Sequence, residues 1–300
     1  MAPVRYVVYG AGAVGGVIGA HLHLVGLPTT LVARGAHLDR VRADGLVLDT
    51  DDGRRAVAVP AAAGAADVAW TDDTVVLLTV KSHQTDAALD DLVAHAPPGA
   101  VVVVAQNGVA NEAAVLRRFA RTYAVCVMLP ALHLEPGVVV QKCWPTPGIL
   151  DVGRFPSGSD DVADRVAADL RTAGFESVAR PDIMAWKHRK LLVNAVGDVS
   201  TLLPTGPEAD QLAAAVLAEG EAALAAAGIP VVTAEQDDVR RGDVLRPRVD
   251  IADFRGNSLA QSITRGLPTE IDYRVGEIVL LGRLHGVATP ASERVLRELK

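Results

Sequence analysis

Apolar residues fall into short, nearly unbroken runs through the first third of the chain. Val4–Tyr9, Thr29–Val32, Thr74–Val80 and Ala100–Ala105 are rich in valine and leucine and show little polar alternation. That pattern predicts strands buried on both faces. A shorter strand is predicted over Ala56–Val59. Ala13–Val25 and Gln84–His95 carry helical spacing, with breaks at Pro28 and at Pro97-Pro98-Gly99. Apolar strands alternating with helices predict a parallel sheet covered on both sides. After about residue 125 the pattern changes: Val138–Lys142, Gly148–Val152 and Glu176–Ala179 read as short strands, with a helix over Val162–Ala173. From Ile183 the β signals fade, and helices are predicted over Ala185–Val196, Pro207–Ala227, Ile271–Leu281 and Ser292–Leu299. The change near Arg180-Pro181 sets a boundary between an α/β domain, 1–180, and an all-α domain, 181–300. Val239–Arg255, rich in Arg and Asp with Pro247 inside, reads equally well as a solvated connector or as a pocket wall.

The first strand runs directly into Gly10-Ala11-Gly12-Ala13-Val14-Gly15. Glycine inside regular structure is costly, so three at G-x-G-x-x-G spacing between a buried strand and a helix need a reason. In a dinucleotide site the first permits the tight turn, the second lets the backbone approach a pyrophosphate, and the third lets helix and strand pack closely. The phosphates then meet the positive end of the helix. An acid closing the second strand would read the 2′-hydroxyl of NAD. Here the strand closes with Leu31-Val32-Ala33-Arg34-Gly35, and Asp39 lies further on. The planar fork of Arg34 suits a 2′-phosphate, which favours NADP. Lys81 and Asn107 follow the next two strands, and ligands in such sheets bind beyond the strands' carboxyl ends.

In the helical half, Trp186-Lys187-His188-Arg189-Lys190-Leu191-Leu192-Val193-Asn194 sets Lys190 and Asn194 on one helix face. Pro268-Thr269-Glu270-Ile271-Asp272-Tyr273 reads as a helix start with Thr269 suited to cap it, and Ser258 after Gly256-Asn257 opens another helix. With GAGAVGG at 10–16, VK at 80–81, QNG at 106–108, WKHRKLLVN at 186–194, TEIDYRVGEIV at 269–279 and HGVATP at 285–290, nearly the whole chain resembles the ketopantoate reductase family. The resemblance implies an α/β Rossmann-type N-terminal domain followed by an all-α C-terminal domain, with the active site in the cleft between them. It implies Lys190 as the general acid that protonates the new alcohol oxygen, and Glu270 as the residue that positions substrate or tunes that lysine. Asn107, Asn194 and Ser258 would hold substrate oxygens, and Gly10, Gly12, Arg34 and Lys81 would hold NADPH. The residue chemistry agrees: ketone reduction needs a proton donor at the carbonyl oxygen.

The chain departs from the family pattern at three places. Asp198 stands where a second asparagine is usual, Arg255 three residues before Ser258, and Ser262 where an aspartate is common. A carboxylate at Asp198, on the face of Asn194 if the helix continues, would repel a 2-oxo acid unless protonated or paired, with Arg255 one candidate partner. Three readings follow: a 2-dehydropantoate reductase, a paralogue that reduces another oxo compound in specialised metabolism, and an NADP-binding sensor without turnover. Lys190, Asn194, Ser258 and Glu270 together count against the sensor.

Composition narrows the partners. A net charge of −7 over 300 residues lacks the basic excess of a nucleic-acid binder. The two cysteines, Cys126 and Cys143, form no cluster and fit a reducing compartment. No signal-peptide pattern and no apolar run of about 18 residues is present. The expectation is a cytoplasmic enzyme of a small oxo substrate, with a homodimer left open. His21 and His23 diverge by about 200° on a helix, which argues against a shared metal; His133 sits in a loop-like stretch where a substrate-side role is open.

Overall fold

Alternate residues of the first strand serve two different cores, which is why its sequence is apolar throughout. Tyr6 and Val8 join one buried cluster, while Val7 and Tyr9 join another. The strand after residue 73 divides likewise, Val75 and Leu77 to one side and Val76 and Leu78 to the other. A sheet sandwiched between helical layers demands this of its strands. The computed structural model describes residues 4–251, 258–264 and 266–300.

These residues form two compact units: Met1–Gln106, Asn111–Ile183 and Arg241–Ala252 in one, Asn107–Ala110, Met184–Arg240 and Asp253–Lys300 in the other. The strands of the first are β1 (Arg5–Tyr9), β2 (Thr29–Val32), β3 (Leu46–Thr50), β4 (Gly53–Val57), β5 (Ala61–Ala62), β6 (Thr74–Leu78), β7 (Val101–Val104), β8 (Arg121–Met128), β9 (Ala131–Leu132), β10 (Val138–Gln141) and β11 (Ile149–Arg154). Its helices are α1 (Ala13–Leu24), α2 (Gly35–Asp44), α3 (Thr85–His95), α4 (Asn111–Leu116) and α5 (Asp161–Thr172). The main sheet runs β11-β8-β7-β6-β1-β2-β5 and is parallel except for β11 against β8. Strand order reverses at β1, which pairs with β2 on one side and β6 on the other. Tyr9 stands opposite both Val32 and Leu78, and Leu78 opposite Val104. The carboxyl ends of the central strands are therefore level, and a switch point of this kind is where open α/β sheets bind ligands.

A second sheet, β4-β3-β10-β9, lies beside α1, where a Cβ on Gly16 would come within 2.6 Å of Val139 Cγ1. Of its strands the pattern predicted β10 and, shifted, β4. Glu176–Ala179 is not a strand; it makes only single bridges, Glu176 to Ile149 and Ala179 to Val152. The Arg241–Ala252 segment is held by Arg248, which is buried and donates to Asp49 Oδ1 at 3.0 Å, Gln141 O at 2.9 Å and Asp250 Oδ1 at 3.0 Å. Arg248 thus anchors this part of Val239–Arg255, whose neighbouring residues 242–250 are otherwise exposed or half-buried, while Arg255 lies outside the described residues.

The second unit is helical: α6 (Ile183–Leu202), α7 (Pro207–Ala226), α8 (Ala234–Arg241), α9 (Ser258–Thr264), α10 (Val275–His285) and α11 (Pro290–Glu298). Leu192, Ala195 and Val199 of α6 bury one stripe against Val216 and Ala223 of α7 and Ile278 of α10. Gly220 allows that approach, since a Cβ there would fall 2.5 Å from Leu192 Cδ2. Glu219 of α7 accepts from Ala291 N and Ser292 N, each at 2.8 Å, and from Ser292 Oγ at 2.7 Å. It thereby caps the otherwise unpaired first-turn amides of α11. The helix expected over Ile271–Leu281 is instead a 3₁₀ turn, Ile271–Tyr273, followed by α10, and Glu270 rather than Thr269 occupies the turn's N-cap.

Candidate active site

The three loop glycines are glycine for three different reasons. Gly10 has φ +114°, and a Cβ there would stand 2.7 Å from Val80 N; only glycine fits. A Cβ on Gly15 would lie 2.2 Å from Gly10 O, 2.4 Å from Thr79 Oγ1 and 3.0 Å from Val8 Cγ1, so its absence lets α1 pack onto β1. Gly12, the N-cap of α1, has an ordinary φ of −72° and no described atom within 4 Å of a Cβ position. Neither backbone nor packing asks for glycine there, which leaves open space for the close approach of a ligand. These residues fit a dinucleotide. Ala13 and Val14 open α1.

The loop is braced from both sides. Thr79 Oγ1 donates to Gly10 O at 2.8 Å. His37 Nε2 donates to Ala11 O at 2.7 Å while its Nδ1 accepts from Gly137 N at 2.8 Å. That pair of bonds defines a neutral imidazole, and burial holds its pKa below the usual histidine value. The His133 ring lies 4.3 Å from that of His37, tilted by 55°. Arg34, two residues beyond β2, is the exposed N-cap of α2, and its charge reaches the hydroxyl of Tyr9. Lys81 follows β6 half-buried at a turn closed by Gln84 N donating to Lys81 O at 2.8 Å.

A buried polar network holds that turn. Gln106 Nε2 donates to Val80 O at 2.7 Å and to Thr85 Oγ1 at 3.0 Å. Thr85 Oγ1 donates to Asn111 Oδ1 at 3.1 Å, and Asn111 Nδ2 to Ser82 Oγ at 3.0 Å. Sequence reasoning missed His37, Thr79 and Asn111, and saw Gln106 only as part of QNG at 106–108. The polar residues QNGVAN after a buried strand were the one available hint.

In the second unit, α6 carries Lys190 and Asn194 half-buried and Asp198 fully buried. Asn194 Nδ2 donates to Asn107 Oδ1 at 3.4 Å. Gly108, at φ +79°, lets its turn close onto Tyr273, whose O would be 2.8 Å from a Cβ. Glu270 is buried just before that turn. Ser258 begins α9 and Ser262 is buried within it; the side chain of Ser258 lies outside the description.

Asp198, a candidate substrate-side residue, is paired, and its partner is Arg274 rather than the suggested Arg255. The guanidinium donates to Oδ2 through Nε at 3.0 Å and to Oδ1 through Nη2, which also donates to Asn194 O at 3.1 Å. Burial raises the Asp198 pKa, and the charge and hydrogen bonds of Arg274 oppose the rise. On the same helix, burial followed by the charge of Lys187 brings His188 down to about 4.

A glycine loop at a sheet's switch point, joined in sequence to a helical unit bearing a lysine, asparagines and a buried glutamate, defines a pyridine-nucleotide-dependent oxidoreductase acting on a CH–OH group. Residues 6–157 match the family described as Ketopantoate reductase PanE/ApbA, and residues 182–300 match its C-terminal counterpart. The chain belongs to the ketopantoate reductase family.

It is 33% identical to the 2-dehydropantoate 2-reductase of Halobacterium salinarum over 298 residues, covering 96% of this chain and 95% of the relative. It is 28% identical to that of Pyrococcus horikoshii, covering 96% and 93%. A PanE/ApbA family ketopantoate reductase from Ralstonia eutropha aligns with TM-score 0.82 at 25% identity over 98% of this chain and 97% of that one. D-mandelate dehydrogenase with NADH and anilino(oxo)acetate aligns with TM-score 0.85 over 99% and 97%, at 21% identity, a likeness of fold. Among the described residues no helix is long and apolar enough to cross a membrane.

Proposed function

We propose that the protein reduces a 2-oxo acid to a 2-hydroxy acid with NADPH, the substrate being 2-dehydropantoate and the product pantoate, a step of pantothenate biosynthesis. The observation that carries this reading is the pairing of Asp198 with Arg274. An unpaired carboxylate on the face of Lys190 and Asn194 would repel a 2-oxo acid; a paired one does not. The substrates of the relatives named 2-dehydropantoate 2-reductase support the same choice.

NADPH, when bound, supplies the hydride. Gly10, Gly12 and the first turn of α1 would receive its pyrophosphate, Arg34 its 2′-phosphate, and Lys81 and Asn107 would meet the cofactor's edge. The Lys190 ammonium donates the proton that the carbonyl oxygen needs as it gains charge. Glu270 orients substrate or keeps that lysine charged. Asn107, Asn194 and Ser258 hold substrate oxygens. A second reading, another small ketone or oxo compound, rests on Asp198 and Ser262, which depart from the family pattern. A panel of small oxo compounds including 2-dehydropantoate, read by NADPH oxidation, separates the two. Turnover fastest with 2-dehydropantoate supports the first reading, and a much higher kcat/KM for another oxo compound replaces it.

A further inference from the structure

We propose that Arg274 and Asp198 form a positioning device that fixes the catalytic face of α6 relative to the turn carrying Glu270; this rests on the reading of Lys190 as proton donor. The Asn194 carbonyl already accepts the helical amide four residues on. Arg274 Nη2 adds a second hydrogen bond to that oxygen at 3.1 Å while also donating to Asp198, so one guanidinium grips two successive turns of α6. Lys190 lies one turn before Asn194 on the same face.

Arg274 is joined to Glu270 by a tight turn in which Tyr273 N donates to Glu270 O at 2.9 Å and Arg274 N to Ile271 O at 3.2 Å. The residue before Arg274, Tyr273, is the one the Asn107-Gly108 turn abuts. The clamp therefore connects Lys190, Asn194, Glu270 and Asn107 through one side chain.

Stability alone does not call for this arrangement. Arg274 is a buried cation at the N-cap of α10, where the helix dipole disfavours positive charge. Well-packed apolar residues often replace a buried ion pair without loss. What apolar residues cannot reproduce is a directed hydrogen bond to the Asn194 carbonyl.

The test compares wild type with Asp198→Leu/Arg274→Met, which removes both charges, and with Arg274→Lys, which keeps charge but loses the fork. Thermal melts establish that each variant is folded; if the double variant is not, Arg274→Lys carries the same comparison. Two readouts follow. One is kcat and KM for 2-dehydropantoate reduction, with NADPH affinity measured separately. The other is the NMR titration midpoint of Lys190 in protein reductively methylated with ¹³C, assigned with Lys190→Arg.

The expected result is a kcat lower by about 100-fold, KM and NADPH affinity each within about threefold, and a Lys190 midpoint moved by roughly half a pH unit or more. Wild-type kcat and an unmoved midpoint in a folded variant would overturn the clamp. If the wild type reduces no 2-oxo acid, the functional reading fails, and the Lys190 midpoint alone still decides the clamp.

Discussion

Replacing Gly12 by alanine separates a ligand's demand for glycine from the fold's own. Its φ of −72° suits any residue, and a Cβ would meet no described atom within 4 Å. Alanine is a poorer N-cap than glycine by about 0.5 kcal/mol. Against that, loss of glycine's freedom in the unfolded chain returns about 0.4–1 kcal/mol. The unliganded protein should therefore melt within about 2 °C of wild type. If Gly12 receives the pyrophosphate as proposed, the added methyl stands in its path, and overpacking of this kind costs about 1–3 kcal/mol, about a five- to 150-fold rise in Kd. Gly15→Ala should behave oppositely: with Gly10 O at 2.2 Å and Thr79 Oγ1 at 2.4 Å from the new atom, it destabilises the unliganded protein by about 1–3 kcal/mol. Melts without nucleotide and fluorescence titration with NADPH measure both. Wild-type NADPH affinity in Gly12→Ala would refute the assignment of that glycine to the cofactor.

Three further outcomes follow from the structure. Arg34→Asp should weaken NADPH far more than NADH, because a fork suited to a 2′-phosphate becomes an acid suited to a hydroxyl; equal affinity of the wild type for both would remove Arg34 from cofactor choice. Glu219→Ala strips the cap from Ala291 and Ser292 and should cost about 2 kcal/mol in urea unfolding, without change in NADPH affinity. Stability should fall on acidification. His188 has a folded value of about 4 against 6.5 ordinarily, so the unfolded chain takes the proton first. Its contribution is complete above about pH 6.5 and is lost as pH falls toward about 4, with a ceiling of about 3 kcal/mol. His188→Gln should flatten that slope, and an unchanged slope would exclude it as the cause.

The parallel strands were legible because they are buried on both faces. β1, β6 and β7 need nearly unbroken apolar runs, and such runs stand out in a sequence. α2 was not legible: only Leu38 and Val41 of its ten residues are buried, so no apolar stripe marks it. β3 carries Asp49, which serves Arg248 at a separation of 199 residues and reads locally as a strand breaker. β8 begins with the polar Arg121-Thr122, which hides an otherwise buried run. Glu176–Ala179 has strand-like residues, yet it gains only single bridges beside β11.

The reasons for Gly10 and Gly15 could be assigned from spacing, since each follows from local geometry. The partners of the candidate site could not. Arg274 reaches Asp198 across 76 residues, and His37 reaches Gly137 across 100. No pattern within a window of one helix or strand records such pairings. The need for a partner to Asp198 was therefore legible, but not that the partner is Arg274.

The central claim is that Lys190 delivers the proton in an NADPH-dependent reduction. The most direct measurement follows NADPH consumption and pantoate formation from 2-dehydropantoate by wild type and Lys190→Ala in parallel, with NADPH affinity determined for each. Expected are equal consumption and formation by the wild type, and a variant that binds NADPH as before but has kcat lower by about two to four orders of magnitude. A wild type that consumes no NADPH with 2-dehydropantoate or any other 2-oxo acid, or a variant that turns over at the wild-type rate, would contradict it.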